Sequence, residues 1–286
     1  MNPITPLRPT VPPKPTTMRS LQSYTSNQTK AIEILLDPSF HNYHFQDTND
    51  RRWVQFWEST WDKNLDSLDT VEAVERGPDP INNALITVPS DRVVMLKPEV
   101  TRSCWDFDLE FQKILIRSNY KEAEDFALSS CGARIPPRLL MITGQPGIGL
   151  ISLLFTHYQV LSLLLGKSVF LLYVLLCRLA LKLPTVLQTK PNQALLFYEK
   201  GVQEFTQLQR APPYHTLASE NDPLGRIWAL VDSNQELHKP ASIFQMGPFF
   251  VIQTSSPHPT HHEWIWRIRH ESFYMKLWTF AEVLQV

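Results

Sequence analysis

The sequence predicts an α/β fold in three layers, with a mainly parallel central sheet, preceded by an irregular α+β N-terminal region. Three observations carry this expectation. A short apolar run, Leu139-Leu-Met-Ile-Thr143, leads into a glycine-rich turn, Gly144-Gln145-Pro146-Gly147-Ile148-Gly149. A strongly apolar segment with helical length, Ser168 to Leu183, is stopped by Pro184. Two later runs, Ile227-Trp-Ala-Leu-Val-Asp232 and Phe249-Phe-Val-Ile-Gln-Thr-Ser-Ser256, are apolar throughout and end in polar residues. Continuous apolar strands of this kind belong to a sheet covered on both faces.

The chain has 286 residues, enough for one large domain or two smaller ones. Its net charge of −1 gives no global electrostatic case for nucleic acid or an anionic membrane. Cys104, Cys131 and Cys177 form an odd set without metal-ligand spacing, which suits a reducing compartment. The opening Met-Asn-Pro-Ile-Thr-Pro has no apolar core of a secretory signal, so the expected location is intracellular, in cytoplasm or nucleus. The sequon at Asn27 then carries no weight.

Three regions are expected. Residues 1–20, with Pro at 3, 6, 9, 12, 13 and 15, read as a disordered or polyproline-like arm. Residues 21–112 form an accessory region, and residues 113–286 the main domain. In the accessory region a short helix is expected over Thr29–Leu36. A second is expected over Asp50–Leu68, where Trp53, Phe56, Trp57 and Trp61 share one face. That face reads as core, with a partner surface as the alternative. Asp62, Asp66, Asp69, Glu72 and Glu75 read as a solvated acidic stretch, and Gly77-Pro-Asp-Pro80 as a turn.

In the main domain, Lys113 to Arg117 is a short apolar segment. Asn119 is expected to cap a helix over Tyr120–Leu128 with Glu122 three residues on, and Gly132 to stop it. After Pro184, short strands are expected at Thr185–Thr189 and Ala194–Tyr198, a helix at Gly201–Gln209 and a loop at Ala211–Gly225. Further helices are expected at His262–Arg269 and Thr279–Gln285.

The glycine turn has chemistry of its own. Gly144, Gln145, Pro146, Gly147, Ile148 and Gly149 make the first part of a phosphate-binding loop, G-x-x-x-x-G-K-[ST]. The Lys and Ser that complete the motif stand at Lys167 and Ser168. Such a loop converges backbone N–H groups on an anion at a helix N-terminus. Its Lys reaches the β- and γ-oxygens, and its hydroxyl serves Mg²⁺. Residues 150–166, which separate the halves, carry no Asp, Glu, Lys or Arg. Deleting them closes the sequence to G-Q-P-G-I-G-K-S. As one straight helix they would hold the halves roughly 25 Å apart. They read as foreign to the domain, and we hypothesise an intron left in the coding frame. Transcripts uniformly spanning codons 150–166 would remove that idea. Two other readings stay open. One is a chance Gly-Pro-Gly turn beside an unrelated Lys-Ser. The other is membrane association through the apolar stretch 150–183, although each apolar piece is shorter than the ~20 residues of a span.

Asp232, about 65 residues after Lys167, fits an acid that orients Mg²⁺ at a strand end. The next residue is Ser233 and not a carboxylate base. Gln253-Thr254-Ser255-Ser256-Pro257 follows the run from Phe249; a polar residue at that strand tip, with Ser256 singled out, could touch a γ-phosphate or the attacking water, the alternative being an ordinary strand end. His258, His261, His262 and Glu263 lack metal-site spacing and read as a surface loop. Arg267, Arg269 and Lys276 are cations for phosphate or nucleic acid, balanced by neighbouring acids. No G-x-S-x-G or Cys-centred protease signature is present.

Several segments together resemble one family. They are Ile114-Leu-Ile-Arg-Ser-Asn-Tyr120, the split Gly144–Gly149 and Lys167–Tyr173, Trp228-Ala-Leu-Val-Asp-Ser-Asn234, Ser255-Ser-Pro257 and Tyr274-Met-Lys-Leu-Trp278. They resemble the Crinkler-type and retrotransposon-hot-spot-type P-loop NTPases, over about residues 90–286. The resemblance implies a P-loop NTPase fold of ASCE or AAA-like type. It also implies ATP and Mg²⁺ bound through Gly144, Gly147, Gly149, Lys167 and Ser168, with Asp232 at the metal and Ser233 usual after it. Family members continue past the Tyr-Met-x-x-Trp segment, so this chain looks truncated. The expected activity, if the split loop is functional, is Mg²⁺-dependent ATP binding and hydrolysis coupled to movement or signalling in a larger assembly, with a protein partner or self-association. The alternative is a non-catalytic interaction fragment.

Overall fold

The computed structural model describes residues 32–33, 35–36, 44–63, 70–71, 92–95, 113–116, 118–133, 136–144, 166–206, 208, 227–234, 236–247, 249–255, 264–265 and 268–276. The Pro-rich arm, the Gly77–Pro80 turn, the loop 211–225 and the helix expected at 279–285 lie outside these residues. So do the His258–Glu263 stretch and all of the insert but Gly166.

In chain order the elements are β1 (His44–Asp47), α1 (Arg51–Thr60), β2 (Thr70–Val71), β3 (Arg92–Met95) and β4 (Lys113–Ile116). Then come α2 (Ser118–Cys131), β5 (Leu139–Thr143), α3 (Gly166–Ala180), β6 (Thr185–Lys190), β7 (Gln193–Tyr198) and β8 (Gly201–Thr206). The chain continues through β9 (Ile227–Asp232), α4 (Ser242–Met246), β10 (Phe249–Ser255) and β11 (His270–Tyr274). Ile32, Glu33, Leu35 and Leu36 are also helical.

The fold is α/β around an eight-stranded mixed sheet in the order β1-β8-β7-β6-β9-β10-β5-β11. From β6 to β11 every pair is parallel, and β7, β8 and β1 extend one edge by antiparallel pairing. The runs expected to be buried strands are buried. Every residue of β5, β9 and β10 is inside, because both faces of the sheet are covered. On one face α3 packs across β6, β9 and β10, with α1 and α2 beside it. Its core includes Phe56, Tyr120, Phe170, Leu230 and Ile252. The other face carries Ile32, Leu35, Phe244 and Ile265 over Leu139, Val231 and Val251. α3 is itself enclosed by the sheet and by α1 and α2, which explains why it is apolar almost all round. No helix among the described residues is long and apolar enough to cross a membrane.

The aromatic face of α1 is core. Phe56 is fully buried, with edge-on contacts to Trp53 and Phe197. Trp57 donates its indole N–H to Tyr198 O at 2.9 Å. Asp50 caps the helix by accepting from Arg52 N, and the helix ends at Thr60, earlier than the expected Leu68. Beyond it Asp62 takes a left-handed φ of 58° and pairs with Lys182 at 2.7 Å.

Several expectations need correction. Residues 201–206 are strand β8 and not the start of a helix over Gly201–Gln209. Tyr198 pairs with Gly201 across the two-residue turn Glu199-Lys200, and Gly201 takes φ 127° there, which favours glycine. Pro191-Asn192 makes a similar tight connection between β6 and β7. Of the helix expected at His262–Arg269, the described Trp264, Ile265, Ile268 and Arg269 carry a turn, a 3₁₀ residue, a bend and irregular backbone, with no α-helix among them, and His270 opens strand β11. Asn119 does not cap its helix from outside. It lies inside α2 and accepts from Lys276 N at 3.1 Å.

The expected boundary at 112/113 also falls across the observed pairings. β1 and α1, from the accessory side, join the large sheet and its core. β4, which begins at Lys113, pairs instead with β3 in a separate three-stranded sheet, β2-β3-β4. The cause is sequence-distant pairing, which composition does not report.

Candidate functional site

The strand order brings the polar strand ends together. β10 lies between β5 and β9, with Thr254 in register with Asp232 and Ser255 in register with Thr143. Connections leave β5 and β10 in opposite directions, toward β6 and β11 respectively. Ligands of open α/β sheets bind at such a switch, beyond the carboxyl ends of the strands.

Side chains alternate across a strand, so Trp228, Leu230 and Asp232 point to the α3 face, as do Phe250, Ile252 and Thr254. α3 starts over those ends. Its first turn supplies Lys167 and Ser168. Ser168 donates from Oγ to Asp232 Oδ1 at 3.0 Å, and Thr254 donates from Oγ1 to the same oxygen at 3.0 Å. Lys167 donates from Nζ to Gly144 O at 3.3 Å. The separation of about 25 Å that a straight insert helix would impose does not occur between Gly144 and Lys167.

Gly144 is held closely. Met275 donates its N–H to Thr143 O at 2.7 Å, which brings the segment after β11 against the end of β5. A Cβ on Gly144 would stand 3.2 Å from Met275 Cβ and 3.3 Å from its carbonyl oxygen. A side chain here would make Met275 give way by a few tenths of an ångström, so close approach favours glycine. Thr143 Oγ1, one residue earlier, is buried without a hydrogen-bond partner.

The electrostatics follow from burial. Burial pushes the Asp232 carboxyl above its ordinary range, against hydrogen bonds from Ser168 and Thr254 and the positive charge of Lys167. Burial pushes the Lys167 ammonium below its ordinary range, and the charge of Asp232 opposes this. Lys167 makes no ion pair among the described residues; its one bond is to a backbone carbonyl. An ammonium bonded to the Gly144 carbonyl, with no ion pair among the described residues, is suited to an external anion. A carboxylate with an adjoining hydroxyl is a hard oxygen donor set, suited to Mg²⁺. The residues present thus fit both parts of a metal–phosphate ligand.

Of the residues singled out from sequence, Gly144, Lys167, Ser168 and Asp232 meet. Gln145, Pro146, Gly147, Ile148, Gly149 and Ser256 lie outside the described residues. Ser233 is occupied, donating from Oγ to Leu237 O at 2.9 Å. Asn234 fixes the same loop, accepting from Glu236 N and Leu237 N and donating to Thr189 O at 3.0 Å. Within the polar tip Gln253–Ser256, it is Thr254 that meets Asp232. The period of two along Phe250, Ile252 and Thr254 was the available signal, but the partner strand was not legible. Arg269 is exposed, and Lys276 pairs with Glu122 at 2.9 Å. Among the described residues no cluster of three His, Cys, Asp or Glu forms a metal site.

Comparison with models of protein families, with curated proteins and with solved structures found no match.

Proposed function

We propose that this chain is a nucleoside-triphosphate-binding protein of the P-loop type, similar to the Crinkler and retrotransposon-hot-spot ATPases, that takes ATP with Mg²⁺. The observation that carries this reading is the meeting of Lys167 and Gly144 on one side with Ser168, Thr254 and Asp232 on the other. Lys167 neutralises phosphate charge, and Gly144 opens the turn on which the phosphates lie. Ser168 and Asp232 would hold Mg²⁺, which would neutralise phosphate charge. Thr254 orients the carboxylate from the intervening strand, as the ASCE reading needs.

Hydrolysis has less support than binding. No carboxylate follows Asp232, and the Ser233 hydroxyl is committed to Leu237 O. This favours, as a second reading, a protein that binds nucleotide without fast turnover and acts by interaction. The membrane reading loses half its segment, because Phe170 to Cys177 is buried against the sheet and neighbouring helices.

Calorimetric titration with ATP and Mg²⁺ tests the proposal on three proteins: the unaltered chain, the chain lacking residues 150–166, and that deletion with Lys167→Ala. Binding is expected in the first, tighter in the second and lost in the third. Absence of binding in all three returns the chain to the interaction reading, and detergent partition of the intact chain alone supports the membrane one.

A further inference from the structure

The segment just after β11 belongs to a motif whose role the phosphate and metal site leaves unassigned. Met275 lies against Gly144, so close that its Cβ and carbonyl oxygen would crowd any side chain there. Met275 is buried in the same core as α3, on the side of the sheet that carries Lys167 and Asp232. The carbonyl of Gly144 in turn accepts from Lys167 Nζ at 3.3 Å. The place of Met275 therefore bears on the place of that carbonyl and of the ammonium bonded to it.

Two successive amides hold this segment from two elements. Met275 donates to Thr143 O at 2.7 Å, which ties it to β5. Lys276 donates its N–H to Asn119 Oδ1 at 3.1 Å, which ties it to α2. Asn119 is the second residue of α2 and only 3% exposed. Its Nδ2 donates to Glu122 Oε2 at 3.3 Å, which fixes the amide with its oxygen toward Lys276. Glu122 also pairs with Lys276 Nζ, but both side chains are exposed, where an ion pair contributes little. A polar side chain at the start of a helix ordinarily accepts from that helix's own amides. Asn119 instead gives its oxygen to a residue 157 positions away.

We propose that Asn119 is a positioning residue for phosphate binding: by holding the Lys276 amide it keeps Met275 against Gly144, so that the turn and Lys167 are set before a phosphate arrives. This rests on the nucleotide reading above, and only on its phosphate part. Asn119 acts through Met275 and need not touch the ligand. A ligand that must order its own site loses that ordering cost from its affinity, so holding the turn in advance raises affinity. The coupling is reciprocal: a bound phosphate chain steadies the Met275 and Lys276 amides by as much as they help it bind.

The test titrates inorganic tripolyphosphate, with Mg²⁺, into the full chain and three variants. Asn119→Ala is expected to weaken binding about fivefold, the scale of one net hydrogen bond. Asn119→Asp keeps an acceptor for the Lys276 amide, at a helix N-terminus that favours a carboxylate, and is expected to restore the affinity. Ser130→Ala removes the bond from Ser130 to Glu271, which ties the other end of α2 to β11, and is expected to leave binding unchanged. Hydrogen exchange on the unaltered chain needs no substitution: saturating Mg²⁺ and tripolyphosphate are expected to slow the Met275 and Lys276 amides about fivefold or more. Unchanged binding in Asn119→Ala overturns the positioning role and leaves the phosphate site standing. Equal weakening by Asn119→Ala and Asn119→Asp, or by Asn119→Ala and Ser130→Ala, overturns it too. If Asn119→Ala does not fold, the exchange decides, and amides that the ligand leaves unslowed overturn the role. An unaltered chain that does not bind tripolyphosphate overturns the phosphate site itself, and this role with it.

Discussion

Asp232 is only 7% exposed and shares one oxygen between two hydroxyl donors. Burial makes its ionised form costly, against those two bonds and the charge of Lys167. Asp232→Asn keeps an acceptor for Ser168 and Thr254 and removes the buried charge. The variant is expected to melt at higher temperature than the unaltered chain at pH 7, and to lose Mg²⁺-dependent nucleotide affinity at least tenfold. Paired thermal melts and titrations check both halves of that outcome. Glu124 obeys the same rule elsewhere. Burial raises its carboxyl above the ordinary range, and the bond from Tyr173 Oη at 2.8 Å opposes this, as does the charge of Arg178, while Asp125 adds to the rise. A raised carboxyl binds its proton more tightly when folded. Its contribution to stability is therefore greatest below the unfolded value of about 4.3 and is lost as pH rises through the folded value. Glu124→Gln should be the more stable protein at pH 8, with the difference shrinking as pH falls to 5. Urea unfolding across that range reads it directly; a difference that grows on acidification would contradict the sign.

At the scale of elements, α1 shows how a local pattern becomes tertiary packing. The spacing of Trp53, Phe56, Trp57 and Trp61 makes one aromatic face, and the sheet supplies what covers it. Phe56 meets Phe197 of β7 at a centroid distance of 6.0 Å, and Trp53 meets the same ring at 5.8 Å. Phe56→Ala should cost about 3–5 kcal/mol, as expected for deleting a fully buried ring, seen as a lower urea midpoint with a retained slope. On α3, Arg178 is buried with its guanidinium 4.3 Å from the Trp228 ring centroid, donating to Thr185 Oγ1 and Pro184 O. That cluster anchors the far end of α3. It lets the near end carry Lys167 and Ser168 on a rigid support.

For the whole molecule, the eight-stranded sheet draws on residues from 44 to 274. A fragment spanning 113–286 would expose the α3 face that Phe56 covers, and would leave β8 without β1. It is expected to be at least as destabilised as Phe56→Ala, by comparison of their urea midpoints. A fragment as stable as the full chain would show that β1 and α1 are dispensable. The polar ends of β5, β9 and β10 converge only because β10 inserts between the other two. Insertion order is a property of the folded sheet and not of any one segment.

Much of this was legible in the residues alone. The apolar runs at Leu139, Ile227 and Phe249, each ending in polar side chains, follow from local periodicity and the exclusion of charge from a doubly covered sheet. The glycine turn, Lys167-Ser168 and Asp232 were visible as residue types with a matching chemistry. The antiparallel extension through β7, β8 and β1, the edge strand β11, and the choice of Thr254 at the strand tip were not. Each depends on which strands become neighbours, and pairing across tens of residues leaves no local trace. The sequence by itself determined the elements and the chemistry available at their ends. The tertiary structure alone decided that Gly144 and Lys167 meet, because only packing of α3 across β9 and β10 sets its first turn over the sheet.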